Sequence, residues 1–314
     1  MLWHKLRRDL IENLGANLAC IIIITIGIMA FNAFHMAVDN LDLARLRYYE
    51  DCRFADGFAA VQEMPASELY RLEEIPGILQ VQGHLRRDIT VLMPEWGKNL
   101  TLRLVGIEPD NPGALNRVIQ TQGPGIKAQS KEVLLGKGFM AAHGIKAGDS
   151  FDILSGGKKH RLIVAGSGQS PEFIYLVPDE GSFFTDTALF DVAFIDSQAM
   201  QALTGQEGIV NEIAFRLQPG SDYEAMAGRV EEILQPYGLK QLVAAEDQIS
   251  NFMLNQEIDG VRMMANSLPA LFILIAVFIL YLLLRRMVEQ QRLQIGTMKA
   301  FGLSDLAIVT HYVL

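Results

Sequence analysis

Two stretches of this sequence are apolar without a single charged residue, and one lies near each end of the chain. They are residues 18–38 and residues 267–284. About 20 apolar residues in a helix cross the roughly 30 Å hydrocarbon core of a bilayer. The first stretch is longer than the apolar core of a cleaved signal peptide, which is about 7–15 residues. We therefore predict two transmembrane helices.

The charges beside these stretches predict on which side of the membrane the termini lie. The flanking basic residues are Lys5, Arg7 and Arg8 before the first stretch and Arg285, Arg286, Arg292 and Lys299 after the second. Short basic segments stay in the cytoplasm, whereas long domains are translocated largely regardless of charge. We therefore predict a multi-pass protein of the cell membrane with its N-terminus in the cytoplasm. Its predicted segments are a cytoplasmic start (1–17), a first span (18–38), an extracytoplasmic domain (39–265), a second span (267–284), a cytoplasmic segment (285–305), which we call the coupling segment, and the start of a third span (306–314).

Between the spans, runs of alternating apolar and polar residues predict strands, which are separated by amphipathic helices. The predicted strands are 54–61, 78–82, 88–93, 100–107, 149–154, 160–166, 173–177, 192–195, 211–217 and 239–243. The predicted helices are 65–72, 136–143, 197–203 and 222–237. Ser67 is predicted to cap the first of these helices and Gly144 to end the second. Residues 110–129, rich in Gly, Pro, Asn and Gln, are predicted to form a long loop.

The order of these elements predicts the fold class. A strand–helix–strand unit opens the extracytoplasmic part and a second one closes it, with a run of strands between them. Such an order fits two halves of one α+β layer and a separate insert. We therefore predict a membrane protein in which two transmembrane helices flank a large α+β extracytoplasmic domain with a β-rich, barrel-like insert.

Charge and motifs argue against most binding and catalytic chemistries. The net charge is −9, whereas a nucleic-acid partner would need a clustered basic face. The six histidines have no metal-ligand spacing: His4, His35, His84, His143, His160 and His311. The sequence has neither a strained-turn serine motif nor a Walker motif for ATP. Cys20 lies inside the predicted first span and Cys52 outside the membrane, so the two are not expected to form a disulfide. We predict no catalytic residue, no metal and no cofactor.

Residues 294–304, which read QIGTMKAFGLS, closely follow the second span and predict a short amphipathic helix. Its apolar side holds Ile295, Met298 and Ala300 with Phe301 and Leu306, and its polar residues are Gln294, Lys299 and Asp305. The spacing leaves two interpretations open. The helix lies on lipid headgroups, or it offers a face to a cytoplasmic partner protein.

The residue order in this segment resembles the one that follows the second transmembrane helix of FtsX-like ABC transporter permeases of the MacB and LolE type. The family pattern is approximately Arg-x-x-Glu-Ile-Gly-x-Leu-Lys/Arg-Ala-x-Gly-x-Ser. The matching residues are Ile295, Gly296, Lys299, Ala300, Gly302 and Ser304, while Gln294 replaces the acid and Met298 replaces the leucine. Residues 131–135, 144–149, 170–177, 211–216 and 254–260 are similar to the extracytoplasmic domain of the same permeases. The resemblance therefore covers nearly the whole chain.

This resemblance implies a permease subunit that is not itself an enzyme. It implies that the chain transmits the ATP-driven motion of a cytoplasmic ABC ATPase across the membrane to an extracytoplasmic domain that acts on lipid, lipoprotein or peptide. The implied ATPase-coupling residues are Gln294, Ile295, Gly296, Met298, Lys299, Ala300, Gly302 and Ser304. The implied partners are that ATPase, membrane lipid and a second permease copy or half, with no nucleic acid.

Two other functions stay open at this point. A two-span sensor or receptor with an extracytoplasmic ligand-binding domain has the same topology, although it would continue into a coiled coil or a signalling domain. A membrane-anchored assembly factor without an ATPase also fits. Because permeases of this type carry further spans, the chain is expected to be incomplete. Trp96, Phe183 and Phe184 are candidates for contacting lipid or a partner from exposed loops.

Overall fold

The computed structural model describes residues 14–93, 100–177, 186–302 and 304–313. Its α-helices are, in chain order, α1 (Leu14–Cys52), α2 (Tyr70–Glu73), α3 (Lys137–His143), α4 (Ser197–Thr204), α5 (Tyr223–Leu234), α6 (Ile249–Gln290), α7 (Arg292–Ala300) and α8 (Asp305–Val313). Its strands are β1 (Gly57–Pro65), β2 (Ile78–His84), β3 (Arg86–Leu92), β4 (Leu100–Ile107), β5 (Ile119–Gln122), β6 (Glu132–Leu135), β7 (Ser150–Ser155), β8 (Lys158–Gln169), β9 (Phe190–Asp196), β10 (Ile209–Leu217) and β11 (Gln241–Ala244). Two compact units result: an outer unit, Ala44–Gln256, and a membrane unit made of the described residues before and after it.

The membrane unit carries the apolar stretches of the two longest helices. Helix α1 has 39 residues and α6 has 42, and each contains a window that is long and apolar enough to cross a bilayer. Within this unit a Cβ added to Gly27 of α1 would lie 3.1 Å from the Cβ of Phe272 of α6. A small residue at a close approach is typical of paired membrane helices. Asp42 and Arg262 add an ion pair of 2.8 Å between the same helices.

The first sheet of the outer unit is built from the two ends of that unit. Its strand order is β11-β1-β10-β2, and each neighbouring pair is antiparallel. The chain passes from β1 to β2 through α2 and from β10 to β11 through α5. Two strand–helix–strand units thus interleave, which is the ferredoxin-like topology. Residues from this sheet and its two helices share one core: Val61, Met64, Leu72, Phe215, Val230 and Leu234.

The second sheet is inserted between β2 and β10 and closes on itself. Its order is β5-β8-β6-β9-β4-β3-β7, and β7 also pairs with β8. Six strands therefore form a ring, and β5 adds to β8 beside it. A closed ring leaves fewer unpaired strand edges for association with other chains. Alternating residues along β4, namely Leu100, Leu102 and Leu104, belong to its apolar core. The predicted α+β layer and the barrel-like insert are both confirmed.

The start of the first sheet differs from the prediction because a specific cap follows the end of α1 at Cys52. Arg53 has φ +55°, and the Phe54 N–H donates to the Tyr49 carbonyl at 2.9 Å. This is the hydrogen-bond pattern of a Schellman cap. The rings of Tyr49 and Phe54 stack with centroids 4.3 Å apart. The predicted strand 54–61 consequently begins only at Gly57.

The predicted helix 65–72 is wrong in its first half. Residues Ala66–Glu68 form a 3-10 turn, and only the single turn α2 follows. Ser67 does not cap it, because the residue before the turn is Pro65, which makes no side-chain cap hydrogen bond. Proline favours the extended conformation that ends β1, so the chain leaves the strand directly into a tight turn.

Two further predictions in the insert are wrong. Residues 173–177 are not a strand: Phe173 ends a 3-10 turn, Pro171–Phe173, whose start is fixed by the Ser170 side chain accepting the Glu172 N–H. The predicted loop 110–129 contains the short strand β5. The candidate contact residues Trp96, Phe183 and Phe184 lie outside the described residues.

Candidate functional site

The predicted ATPase-coupling residues lie on α7 and in its connection to α8. Gln291 separates α7 from α6. Gly302, with φ +85°, follows α7 in the left-handed conformation that glycine adopts without a steric penalty. The Ser304 carbonyl then accepts the Ile308 N–H at 3.1 Å, at the start of α8. The coupling segment is therefore a helix that ends in a sharp turn before the next helix.

Most of the predicted coupling residues are exposed on this helix and turn. The exposed ones are Gln294, Gly296, Lys299, Ala300, Gly302 and Ser304, while Ile295 and Met298 are half-buried. Ile295 and Met298, three residues apart, share a face of α7. In contrast, Phe301 is 85% exposed and Leu306 is 78% exposed. The apolar side predicted from the sequence is thus divided into a half-buried pair and exposed large residues.

Leu293 belongs to the exposed surface of α7, although the sequence analysis did not select it. Its side chain is 90% exposed. Gly296 and Ala300 follow three and seven residues later, so the three residues share one stripe of the helix. A Cβ at Gly296 would have no described heavy atom within 4 Å. The stripe consists of a leucine beside two small residues. Its i, i+3, i+7 spacing is the feature of the sequence from which it could have been recognised.

An ion pair joins the end of α7 to the start of α8. Lys299 Nζ lies 2.6 Å from Asp305 Oδ1, and both side chains are more than half exposed. An exposed pair of this kind contributes about 0–1 kcal/mol. Lys299 is therefore held near the Gly302 turn but remains available to another negative group.

A second candidate site, which we call the junction, lies in the outer unit where ring loops meet the end of α1 and the start of α6. Asn116 binds the end of α1: its N–H donates to the Arg53 carbonyl at 3.1 Å, and its side-chain oxygen accepts the Ala55 N–H at 2.9 Å. The next residue, Arg117, donates its N–H to the Cys52 carbonyl at 2.8 Å. The loop before β5 therefore satisfies backbone groups that the helix end leaves unpaired.

The turn Pro171–Phe173 binds the start of α6 in the same network. The Gln248 side chain donates to the Glu172 carbonyl at 3.1 Å, and the Tyr175 N–H donates to Ser250 Oγ at 2.9 Å. The Ser170 hydroxyl donates to the Asn116 carbonyl at 3.1 Å. The Asn116 side-chain N–H also donates to the Glu172 carboxylate. One connected set of hydrogen bonds therefore reaches both helix ends.

The junction buries two titratable groups beside a cavity of about 70 Å³. His84 Nε2 lies 4.0 Å from Glu172 Oε1, and both side chains are largely buried. Loss of hydration raises the pKa of Glu172 to about 7, with a further contribution from the negative charge of Glu212. Loss of hydration also lowers the pKa of His84 to about 4. Near neutral pH, His84 is therefore uncharged and Glu172 is close to half-protonated.

Glu212 and Arg86 complete this polar region. Arg86 lies 2.7 Å from the Glu212 carboxylate, and Glu212 is the cross-strand neighbour of His84. Burial raises the pKa of Glu212, whereas Arg86 opposes that change. Glu212 thus has a cationic partner, while Glu172 has the uncharged Asn116 and His84.

Sequence reasoning missed the chemistry of the junction. Glu172 lies in residues 170–177 and Glu212 in residues 211–216, two stretches that were selected for their strand pattern and their resemblance and not for these acids. An acid between Pro171 and Phe173 in an otherwise apolar run was the available signal. Among the described residues, the histidines, cysteines and acids do not form a group of three or more that could hold a metal ion.

Family models match most of the chain. The model described as "MacB-like periplasmic core domain" matches residues 16–233. The model described as "FtsX-like permease C-terminal" matches residues 266–314, which include every predicted coupling residue. A search of curated proteins found no match.

Solved structures that are similar to this chain include two extracytoplasmic regions and one domain of a permease. The extracellular domain of the noncanonic ABC-type transporter YknZ from Gram-positive bacteria is 10% identical, with a TM-score of 0.39, and the match covers 60% of this chain and 98% of that one. The periplasmic region of MacB from Actinobacillus actinomycetemcomitans is 10% identical, with a TM-score of 0.39 and coverages of 67% and 95%. A domain of a putative permease protein from Porphyromonas gingivalis is 15% identical, with a TM-score of 0.36 and coverages of 63% and 90%.

Proposed function

Because this chain belongs to the FtsX-like permeases with a MacB-like periplasmic core domain, we propose that it transmits the motion of a partner ATPase across the membrane to its outer unit. Permeases of this family work with a separate ABC ATPase and lack a catalytic domain of their own. In this proposal both termini lie in the cytoplasm and the outer unit lies outside the membrane. The outer unit then acts on lipid, lipoprotein or peptide.

The observation that carries the proposal is the exposed surface of the coupling segment. Leu293 and Phe301 are 90% and 85% exposed, and Gly296 has open space where a side chain would be. Aromatic residues such as Phe301 are enriched at protein–protein interfaces, whose cores are more apolar than the rest of the protein surface. Small residues beside them permit close backbone approach. This arrangement favours docking of a partner protein over simple contact with lipid headgroups.

Helix length supports transmission of motion. Helix α6 runs from Ile249 to Gln290 with Pro269 inside it, and only Gln291 separates it from α7. The backbone hydrogen bond that this proline removes can be compensated within a membrane helix. A hydrogen-bonded helix of this length can act as a rigid element in domain movements. A push on α7 would therefore reach α6 with little intervening flexible chain. A two-span receptor would not need a short exposed helix at this position, and family membership also favours the permease.

The membrane partners are part of the same proposal. Two long helices offer limited surface for packing, and membrane helices pair through small residues at close contacts, as Gly27 does with Phe272. We expect a second permease copy or half to complete the membrane-embedded assembly. Lipid would cover the remaining apolar surface of both helices.

The test is co-purification of the full-length gene product from membranes, followed by identification of bound proteins that carry a Walker motif. Gly296→Trp should fill the open space on α7, and Lys299→Glu should reverse a charge beside the docking surface. We expect each substitution to reduce ATPase recovery at least tenfold. Recovery of the ATPase at wild-type levels with both variants would contradict docking at this segment.

Matched variants separate docking from damage to the chain. Gly228→Trp changes another exposed helical glycine with open space around it, and Lys158→Glu reverses an exposed charge at the start of β8. Both should leave ATPase recovery unchanged. Asp305→Asn breaks the ion pair with Lys299 while keeping the lysine. If Asp305→Asn has a small effect on ATPase recovery and Lys299→Glu a large one, the loss comes from the contact with the partner and not from the broken ion pair.

A further inference from the structure

The junction places one carboxyl group and one imidazole together in a buried site. His84 is the last residue of β2, and Glu172 lies in the turn Pro171–Phe173. Their nearest side-chain atoms are 4.0 Å apart, beside the cavity of about 70 Å³. Removing both charges from water costs more than their attraction across this distance returns unless the geometry is excellent. In the closed junction, both groups are therefore most stable when uncharged, with the proton on Glu172.

Opening of the junction would change which group carries that proton. Opening means separation of the turn Pro171–Phe173 from the helix ends, so that water reaches both side chains. In water their pKa values return to the ordinary 4.5 for Glu172 and 6.5 for His84. Between these values the hydrated glutamate is ionised and the hydrated histidine is protonated. The pair holds one proton in the closed state and one proton in the open state.

We propose that His84 and Glu172 form a one-proton pair that keeps the closed junction equally stable across mildly acidic conditions. The equilibrium depends on pH only when the two states bind different numbers of protons. The glutamate alone would favour opening as the pH rises, and the histidine alone would favour opening as the pH falls. Together these opposite dependences cancel. The attachment of the ring to both helix ends is thereby protected from changes in external pH.

The surrounding charges do not replace either member of the pair. From β10 and β3, Glu212 and Arg86 act on Glu172 with opposite signs and are paired with each other. Glu108 and Arg117 line the same cavity from the loop after β4. At the end of α1, the Arg53 guanidinium donates to Gln80 at 2.9 Å. At the start of α6, Gln248 donates to the Glu172 carbonyl and Ser250 accepts from the Tyr175 N–H, and neither side chain titrates.

Hydrogen exchange of the full-length chain in detergent tests the proposal. Peptides covering residues 53–58, 170–177 and 248–256 would be followed from pH 5.0 to 6.5, with correction for the intrinsic pH dependence of exchange. Wild-type protection should change by less than about twofold over this range. With Glu172→Gln, protection should rise with pH by up to about tenfold per pH unit. With His84→Gln, it should fall with pH by a similar factor.

The opposite slopes of the two single variants are the distinctive result. The double variant should again be independent of pH, which separates proton pairing from general damage to the junction. Wild-type protection that changes several-fold over this range, or single variants that follow the wild type, would overturn the proposal. Nitrogen NMR of the wild-type histidines provides a test without a destabilising substitution. His84 should stay neutral down to pH 5, and protonation near pH 6.5 would also overturn it.

Discussion

The coupling segment and the junction differ in how far their candidate functional side chains are exposed to solvent. In the coupling segment, Leu293 and Phe301 are almost fully exposed. In the junction, Asn116 and Glu172 are buried and hydrogen-bonded within the chain. The first surface gains stability only when another molecule covers it, whereas the second is already complete. The difference suggests a simple rule for this molecule: substitutions in the coupling segment should affect binding, and substitutions in the junction should affect folding.

The largest expected effect is the loss of Asn116. Asn116→Ala removes the acceptor of the Ala55 N–H and the donor to Glu172. A buried polar group left without a partner costs about 1–3 kcal/mol, and more when it is charged. We expect the free energy of unfolding of the outer unit to fall by about 2–4 kcal/mol, measured by pulse proteolysis of the full-length chain in increasing urea.

The control for this prediction is Asn111→Ala in the same loop. Asn111 is exposed, and its side chain bonds Glu108 and the Gly113 N–H. Its replacement should cost less than about 1 kcal/mol because water can satisfy the exposed groups. Equal losses for the two variants would contradict the special role assigned to Asn116.

A smaller effect, and one of a different kind, is expected in the coupling segment. Leu293→Asp and Phe301→Asp each introduce a negative charge at a position whose side chain is already exposed to solvent. The urea concentration at the midpoint of unfolding of the outer unit should stay unchanged. The affinity for the ATPase found by co-purification should fall at least tenfold, a loss of about 1.4 kcal/mol of binding free energy. Binding would be measured by titrating the purified ATPase onto the permease in nanodiscs.

Leu79→Asp supplies the comparison, since Leu79 is also an exposed apolar residue but lies on β2. It should leave ATPase affinity unchanged. A similar loss of affinity with Leu79→Asp would mean that general surface charge matters more than the coupling segment.

Much of the fold was predictable because its signals are local and repeated. Strand β4 has the predicted bounds 100–107, where Leu100, Leu102 and Leu104 alternate. Helix α4 ends at Gly205 in the left-handed conformation, as a glycine stop predicts. The turn at residues 170–173 was harder to predict. Its apolar residues fit a strand, but Pro171 and the Ser170 cap decide the local conformation.

The two candidate sites also differ in whether the sequence alone indicates them. The coupling residues could be proposed because they follow each other along one short segment, whose residue order resembles that of FtsX-like permeases, and their role stays a prediction. The junction was missed because its members come from β2, the loop before β5 and the turn after β8. Only the tertiary structure brings His84, Asn116 and Glu172 together. The sequence also does not show that the Glu172 carboxyl group is buried. The resulting loss of hydration is the main cause of its raised pKa.

The smallest expected effect distinguishes the two glycines of the coupling segment. Gly302 has φ +85°, so Gly302→Ala should strain the turn by about 1 kcal/mol. Gly296 is helical and has open space around it, so Gly296→Ala should instead stabilise α7 by about 0.5–1 kcal/mol. Hydrogen exchange of residues 292–302 should therefore speed up with Gly302→Ala and slow down with Gly296→Ala. If Gly296 serves close approach of the ATPase, its alanine variant should bind that ATPase more weakly despite the more stable helix. Tighter binding with Gly296→Ala would show that helix stability, rather than space for the partner, limits docking.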